Sequence, residues 1–458
     1  MTQSEQVSPE DTKKIEATLE KVQVSACRTC LSRVSIISLL GICGLSLLLF
    51  TGLVFDNVFQ ALQASAEQKP QTGLTTAEGQ AGPLVHATQV LPASPLPLSS
   101  HQQIIYEKQG KLYAVPTSGG TGRLLQAPGY SYNYAVPPLL LPSGQLLYSG
   151  DGLWLADLRS GNAEQIATMP EGQVITSMVV SSDGTHLAWS TAPANGAGAI
   201  RIFAGPLRET ELVYQQPAGA CPCFRAFSFF PESNTMLLLT DDRGDHHAVQ
   251  IGLWALDVSK TPAGEPLPLL DEELQKGPLA LVPRSNSLLF AGNQGIVPEP
   301  TDHSVPDEVA TLNYANSLFL ATINTVPPLL SRPSVVLPRQ SQTSNIAETR
   351  WVATPMFSPS GRTLAYILFS SGTQDPWRRH SALYTVQLNG SGAQLHAGKP
   401  QLLASSTARF VELGPWLNEN VLTFYADGGL YAVDVHTATV QQIESTGGAY
   451  ARIVGIAN

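Results

Sequence analysis

One strand–turn–strand unit recurs along this chain and constrains its fold more than any other feature. Its clearest copy runs from Trp351 to Leu368. Apolar and more polar residues alternate from Trp351 to Phe357, which is the period of a half-buried strand. Pro359 and Gly361 then favour a tight turn, and Thr363–Leu368 is an apolar run typical of a strand buried on both faces. The unit therefore predicts short strands joined by hairpins.

Copies of this unit follow one another from Ile104 to the end of the chain, and each complete copy offers four short strands. The copies begin near Ile104, Leu139, Met178, Phe227, Leu279, Trp351 and Val411. Four-stranded units of about 40–50 residues are the signature of a β-propeller, in which neighbouring blades cover both faces of each sheet. We therefore predict an all-β fold, a propeller of about seven four-stranded blades, preceded by a single transmembrane helix.

The first copy lacks its opening strand, whereas the chain ends with the strand-like run Tyr450–Ala457. We predict that this tail supplies the missing strand of the first blade. Such a closure ties the ring shut and removes an exposed sheet edge.

The best copy carries a recognisable motif, Pro359-Ser-Gly-Arg-Thr-Leu-Ala-Tyr366, which is followed by Ala382-Leu-Tyr-Thr-Val386. This combination resembles the repeat of TolB-type (WD-repeat-like) β-propellers. Looser matches at Pro142–Gly144 and Ser182–Gly184 extend the resemblance along the repeat region, whereas the fourth and fifth copies lack the turn glycine. The resemblance implies a binding platform for proteins or saccharides, and it transfers no catalytic residue to this chain.

The segment Val34–Phe55 carries no charged residue and is long enough to cross a hydrocarbon core, which takes about 20 residues. Arg28 and Arg33 precede it and Asp56 follows it, so the positive-inside rule places the N-terminus in the cytoplasm. We expect a plasma-membrane protein with a cytoplasmic segment and short helix at 1–33, a transmembrane helix at 34–55, a Pro/Gln/Ala-rich stalk at 56–103 and an extracytoplasmic propeller at 104–458. Cleavage after Ala66, which would release the propeller, stays an alternative.

Charge and motifs exclude several classes of function. The net charge of −10 argues against a nucleic-acid surface. The sequence contains no Gly-x-Ser-x-Gly elbow, P-loop or dinucleotide fingerprint. No catalytic, cofactor-binding or metal-binding residue is therefore predicted, and no cofactor is expected.

Two cysteine pairs leave alternatives open. Cys27 and Cys30 have the spacing of a redox pair or of half a zinc site, and they also suit palmitoylated or inert thiols beside a membrane. Cys221 and Cys223 lie on the exported side, where they either form a small-loop disulfide or remain two thiols.

Two polar segments are candidate contact elements. Asp241–His247 gathers carboxylates and imidazoles, a combination that suits a divalent metal but also an ordinary hairpin tip. The acidic insertion Asn293–Asn313 interrupts the fifth copy, and a loop of this length is functional or mobile.

Three functions remain. The main prediction is a membrane-anchored, non-enzymatic binding or scaffolding module for a protein or polysaccharide partner on the exported side, with no nucleic acid involved. The first alternative is a signalling protein that couples the propeller to the cytosolic helix and the Cys27/Cys30 pair. The second alternative is a hydrolase or lyase acting on a sugar or lactone at the propeller channel.

Overall fold

The computed structural model describes Leu96, Leu98 and residues 101–457, except residues 134, 197, 232, 242–250, 271–276, 295–314, 326–327, 339–347, 373–378, 391–394 and 407–410. The predicted transmembrane helix at 34–55, the pair Cys27/Cys30 and the alternative cleavage site at Ala66 lie outside the described residues. Within the described part of the chain, no helix has the length and apolar character needed to cross a membrane.

The described residues form short strands throughout. In chain order they are β1 (Gln103–Lys108), β2 (Lys111–Pro116), β3 (Arg123–Leu124), β4 (Leu139–Leu140), β5 (Gln145–Ser149), β6 (Gly152–Asp157), β7 (Ala163–Thr168), β8 (Gln173–Val180), β9 (His186–Pro193), β10 (Ala199–Pro206), β11 (Glu211–Pro217), β12 (Phe224–Phe230), β13 (Ser233–Asp241), β14 (Ile251–Asp257), β15 (Leu267–Leu270), β16 (Leu279–Leu281), β17 (Ser287–Gly292), β18 (Ser317–Thr325), β19 (Pro328–Leu330), β20 (Ser334–Leu337), β21 (Glu348–Phe357), β22 (Thr363–Gly372), β23 (Arg379–Asn389), β24 (His396–Ala397), β25 (Gln401–Ser406), β26 (Glu412–Trp416), β27 (Val421–Ala426), β28 (Gly429–Asp434), β29 (Val440–Ser445) and β30 (Ala451–Ala457).

These strands form seven antiparallel sheets, each of which is one blade of a β-propeller. The predicted all-β propeller of about seven four-stranded blades is therefore confirmed. The innermost strands are β30, β4, β8, β12, β16, β21 and β26. Contacts between neighbouring blades join β8 to β12, β16 to β21, β21 to β26, β26 to β30 and β30 to β4. In blades 5 and 6 the outermost position is shared by two short strands, β19 with β20 and β24 with β25.

The C-terminal tail closes the ring, as predicted. β30 is the innermost strand of blade 1 and pairs antiparallel with β1, from Gln103 opposite Ala457 to Lys108 opposite Ala451. The first blade is thus assembled from both ends of the propeller, and β1 has a partner on each side.

The hydrophobic core is divided into seven clusters, each at the interface between two neighbouring blades. Strand β22 shows why its sequence is apolar throughout. Leu364 and Tyr366 pack in the cluster shared with blade 5, whereas Ala365 and Ile367 pack in the cluster shared with blade 7. Because both faces of the sheet are covered, alternation between apolar and polar residues disappears in the middle strands.

The turn that joins β21 to β22 depends on Gly361. Its φ is 73°, in the left-handed region, and its N–H donates to the Ser358 carbonyl at 2.8 Å. A Cβ at this position would lie 3.7 Å from Val282, which is ordinary contact, so space does not require glycine. The backbone conformation requires glycine, because a residue with a Cβ is strained at a left-handed φ.

We expect Gly361→Val to lower the free energy of unfolding by about 1–2 kcal/mol, the cost of a left-handed conformation for a residue with a Cβ. Gly361→Asn is the matched control and should lose less, because asparagine tolerates this conformation. Chemical denaturation of the two variants measures the difference. Equal stability of the valine variant and the wild type would show that the turn does not need the glycine.

Candidate functional site

One end of the ring collects polar side chains, and the direction of the strands defines it. The innermost strands begin at this end, and the hairpins between the second and third strands turn there because neighbouring strands are antiparallel. We call it the entry end. At the junction of blades 7, 1 and 2, it contains the first residues of β26 and β30, the β1–β2 hairpin Gln109–Gly110 and the loop residues 130–133.

A buried ion pair lies at this junction. Glu107 on β1 is opposite Arg452 on β30, and the Arg452 Nη2 donates to Glu107 Oε2 at 2.5 Å. Glu107 is 2% exposed and Arg452 7% exposed. The same Nη2 also donates to the carbonyl of Asn133 at 3.3 Å. Removing one partner of a buried ion pair typically lowers the stability of the folded protein by about 3–5 kcal/mol. Glu107 and Arg452 must therefore become buried together when β30 pairs with β1.

A second carboxylate lies beside this pair at the start of β26. Glu412 is half-buried, and the hydroxyl of Tyr450 donates to its Oε2. The Tyr450 ring is held edge-on against Tyr425 with 5.4 Å between ring centroids. Burial raises the pKa of the Glu412 carboxyl above its ordinary value, although the Tyr450 hydrogen bond and the Arg452 charge act in the opposite direction. A raised pKa brings this carboxyl closer to the range in which it can exchange protons near neutral pH.

Two tyrosines of the loop between β3 and β4 complete the group. The Tyr132 ring centroid is 5.9 Å from the Arg452 guanidinium carbon, and Tyr132 is 48% exposed. Tyr130 is half-buried, and burial followed by the charge of Glu107 raises its pKa. The loop is fixed by Asn133, whose Nδ2 donates to the Ile175 carbonyl at 3.3 Å. We call Glu107, Tyr130, Tyr132, Glu412, Tyr450 and Arg452 the entry-end cluster.

The entry-end cluster has the parts needed for acid–base chemistry. Glu412 is partly exposed as a residue, and its carboxylate can take a proton from a bound molecule or from water. The Arg452 guanidinium, which is paired with Glu107, supplies a fixed positive charge that favours the ionised form of this carboxyl. A shifted carboxyl next to a specific charge partner in a partly open site is a recognised mark of functional sites.

The structure also brings two of the predicted candidates together, at the entry end of blade 4. Cys221 is exposed, Cys223 is half-buried, and the Cys223 N–H donates to the buried Asp241 carboxylate at 2.7 Å. The rest of Asp241–His247 lies outside the described residues. No cluster of three or more metal-binding side chains occurs among the residues that the structure describes. The small-loop disulfide and the pair of thiols both stay predictions for Cys221 and Cys223.

Of the insertion Asn293–Asn313, only Asn293 and Gln294 belong to the described residues. Both contact Asn316 on the far side of the insertion. The Asn316 Nδ2 donates to Asn293 Oδ1 at 2.8 Å, and the Gln294 N–H donates to Asn316 Oδ1 at 2.9 Å. The two ends of the insertion therefore meet, while its role as a contact element stays a prediction.

The sequence predictions named none of the entry-end cluster as site residues. A weak signal was present, because charged residues interrupt apolar strands at Tyr106-Glu107, Val411-Glu412-Leu413 and Ala451-Arg452-Ile453. A charge inside a strand that is buried on both faces needs a partner. The partner could not be identified without the register between β1 and β30.

The fold and site define a seven-bladed β-propeller with a polar entry end. No family model and no curated protein matches the sequence. Solved structures that it resembles include a protein from Lactobacillus plantarum at 12% identity and a TM-score of 0.47, with 78% of this chain and 98% of that chain covered. A periplasmic gluconolactonase of Pseudomonas aeruginosa has 13% identity and a TM-score of 0.46, with 77% and 99% covered. An oligogalacturonate lyase of Vibrio parahaemolyticus has 10% identity and a TM-score of 0.33, with 75% and 79% covered.

The main functional prediction needs correction. The prediction of a non-enzymatic scaffold, and with it the prediction that the protein is not an enzyme, is contradicted by these matches, because propellers similar to this chain are a gluconolactonase and a lyase. The prediction assumed that a propeller without a catalytic motif is a binding platform, but acid–base groups can be assembled from separate blades. Sequence identities of 10–13% show the fold alone, so evidence for an activity comes from the residues of this chain.

Proposed function

We propose that this protein is an enzyme, a hydrolase or lyase that acts on a small sugar-derived carbonyl compound at the entry end of the propeller. The observation that carries the proposal is the Glu412 carboxyl, half-buried, hydrogen-bonded by Tyr450 and adjacent to the Glu107–Arg452 pair. Glu412 is the general base, which removes a proton from water in a hydrolysis or from carbon in an elimination. Arg452 is buried and paired with Glu107, and its charge favours the ionised, proton-accepting form of Glu412.

The position of the cluster supports a catalytic role in addition to a structural one. The Glu107–Arg452 pair alone is explained by ring closure, because it joins β1 to the closing strand. Glu412 lies on β26 of blade 7 and accepts a hydrogen bond from Tyr450 of the closing tail, but it takes no part in the backbone pairing of β30 with β1. A carboxyl that is buried at an energetic cost beside an ion pair that is already neutral favours a function in chemistry.

We also propose that the propeller is anchored in the plasma membrane by residues 34–55, with the N-terminus in the cytoplasm and the enzyme outside. The uncharged segment and the preceding arginines support this arrangement. Kinship with TolB-type propellers is proposed on the motif Pro359–Tyr366. A C-terminal epitope tag should be accessible to antibody in intact cells, and a tag accessible only after lysis would contradict the proposed orientation.

The proposed activity is tested by a turnover screen with the full-length protein in mild detergent. The panel combines sugar lactones with uronate oligosaccharides, the compound classes named by the similar structures. We expect turnover of at least one compound, detected as acid release for hydrolysis or as a new ultraviolet-absorbing double bond for elimination. Complete absence of turnover across the panel by folded protein would contradict the proposal.

A further inference from the structure

We propose that the entry-end cluster binds an uncharged sugar ring, such as a neutral sugar lactone, and that Tyr132 is the platform on which this ring stacks. The inference rests on the proposed function and deepens it, because it assigns the class of substrate and a binding residue that contacts it.

Tyr132 has the placement of a stacking platform. Among the large apolar side chains that are exposed in the described part of the chain, Tyr132 is the single aromatic one. It does not project freely into solvent, because its ring lies near Arg452 and a Cβ at Gly110 of the neighbouring hairpin would be 3.7 Å from the Tyr132 Cβ. The side chain is therefore next to protein groups at its base and beside Arg452, while about half of the residue is exposed. An aromatic ring held in this way packs against the C–H face of a sugar ring and leaves the sugar hydroxyls free for hydrogen bonds.

The loop that carries Tyr132 is held in place by contacts on both sides. Asn133 accepts a bond from Arg452 through its backbone carbonyl and donates one to Ile175 of blade 3 through its side chain. The Asn133 Oδ1 also accepts from the Ala135 N–H at 3.0 Å. A platform that is fixed before binding loses little conformational entropy when a ligand arrives.

The charges of the cluster select against anionic sugars. Glu107 and Arg452 neutralise one another at 2.5 Å, and Glu412 adds either no charge or one negative charge. Lys108 of the same strand is on the other face of β1, where it lies 4.0 Å from Glu444 and over the Tyr113 ring. The cluster thus presents no net positive charge, whereas recognition of a phosphate or carboxylate uses unpaired Arg or Lys side chains. A neutral ring fits this balance and a phosphorylated or uronate ring does not.

The test compares D-glucono-1,5-lactone with its 6-phosphate as substrates of full-length wild type, Tyr132→Ala and Tyr132→Phe. We expect the wild type to prefer the neutral lactone by about tenfold or more in kcat/KM. Tyr132→Ala should raise KM for the neutral lactone by about tenfold with little change in kcat. Tyr132→Phe, which keeps the stacking ring, should raise KM for the neutral lactone less than Tyr132→Ala does. Binding of the corresponding lactam, whose ring amide resists hydrolysis, is measured by calorimetry with the same variants.

The outcomes separate this inference from the proposed function. Turnover that prefers the phosphorylated lactone, or that is unaffected by Tyr132→Ala, overturns the inference and leaves the proposed function standing. Lactam binding that depends on the Tyr132 ring, without turnover of any compound in the panel, supports the inference and contradicts the proposed function. Absence of both turnover and lactam binding overturns both.

Discussion

Deleting Ala449–Asn458 is expected to lower the thermal unfolding midpoint by more than about 10 °C or to abolish cooperative unfolding. The deletion removes β30, so the edge of β1 is exposed and the cluster between blades 7 and 1 loses Ala451 and Ile453. It also leaves Glu107 buried without Arg452, which by itself costs about 3–5 kcal/mol. Native proteins of this kind are stable by only about 5–15 kcal/mol, and in a large domain each kcal/mol shifts the midpoint by about 2–4 °C.

Removal of Asn458 alone is the matched control, because the paired part of β30 ends at Ala457. This shorter deletion should unfold like the wild type in calorimetry or circular dichroism. An unchanged midpoint after the longer deletion would contradict closure of the ring by the tail.

Glu412→Gln is expected to reduce kcat by about 10²–10⁴-fold, the range that general acid–base catalysis contributes. The substitution keeps the shape of the side chain and an oxygen that can accept the Tyr450 hydrogen bond, but it removes the proton-accepting carboxylate. Glu419→Gln is the matched control. Glu419 lies in the hairpin between β26 and β27 at the opposite end of the ring, where its Oε2 accepts from Ser360 at 2.6 Å.

Loss of activity in Glu412→Gln should not come from unfolding. Because burial raises the pKa of Glu412 in the folded protein, folding disfavours its ionised form. The contribution of the protonated carboxyl to stability is therefore complete at pH values below the ordinary pKa of glutamate. It is lost as the pH rises through the raised pKa of Glu412 in the folded protein. A neutral glutamine avoids this loss, so the variant should unfold at pH 7 no earlier than the wild type. Equal kcat of Glu412→Gln and Glu419→Gln would remove Glu412 from the mechanism.

The architecture was predictable from the sequence because burial on both faces marks the middle strands of a blade. Runs such as Thr363–Leu368 and the turn glycine Gly361 recur at blade spacing, and the incomplete first copy identified the tail as its missing strand. The outer strands of blades 5 and 6 were less predictable. The short, partly exposed segments Pro328–Leu330 and Ser334–Leu337 both occupy the outermost position of blade 5. No strong apolar pattern marks either segment.

The site was not predictable because its members are distant in the chain. Glu107 and Arg452 are separated by 345 positions, and their contact exists only once the tail has paired with β1. Tyr450 and Glu412 are 38 positions apart and lie on different blades. Motif searches detect chemistry that is local in sequence, whereas a propeller can assemble it from several inter-blade loops. The same property explains why a missing motif was wrongly taken to favour a scaffold without catalytic activity.

The pH dependence of kcat/KM for the neutral lactone shows whether Glu412 is the proton acceptor of an enzyme. For the wild type we predict that kcat/KM rises with pH through a pKa above the ordinary glutamate value, because burial shifts Glu412 in that direction. The groups acting on this carboxyl are Tyr450, Arg452 and Glu107. The rising limb should be absent in Glu412→Gln and present in Glu419→Gln. The same rising limb in all three proteins would contradict the account.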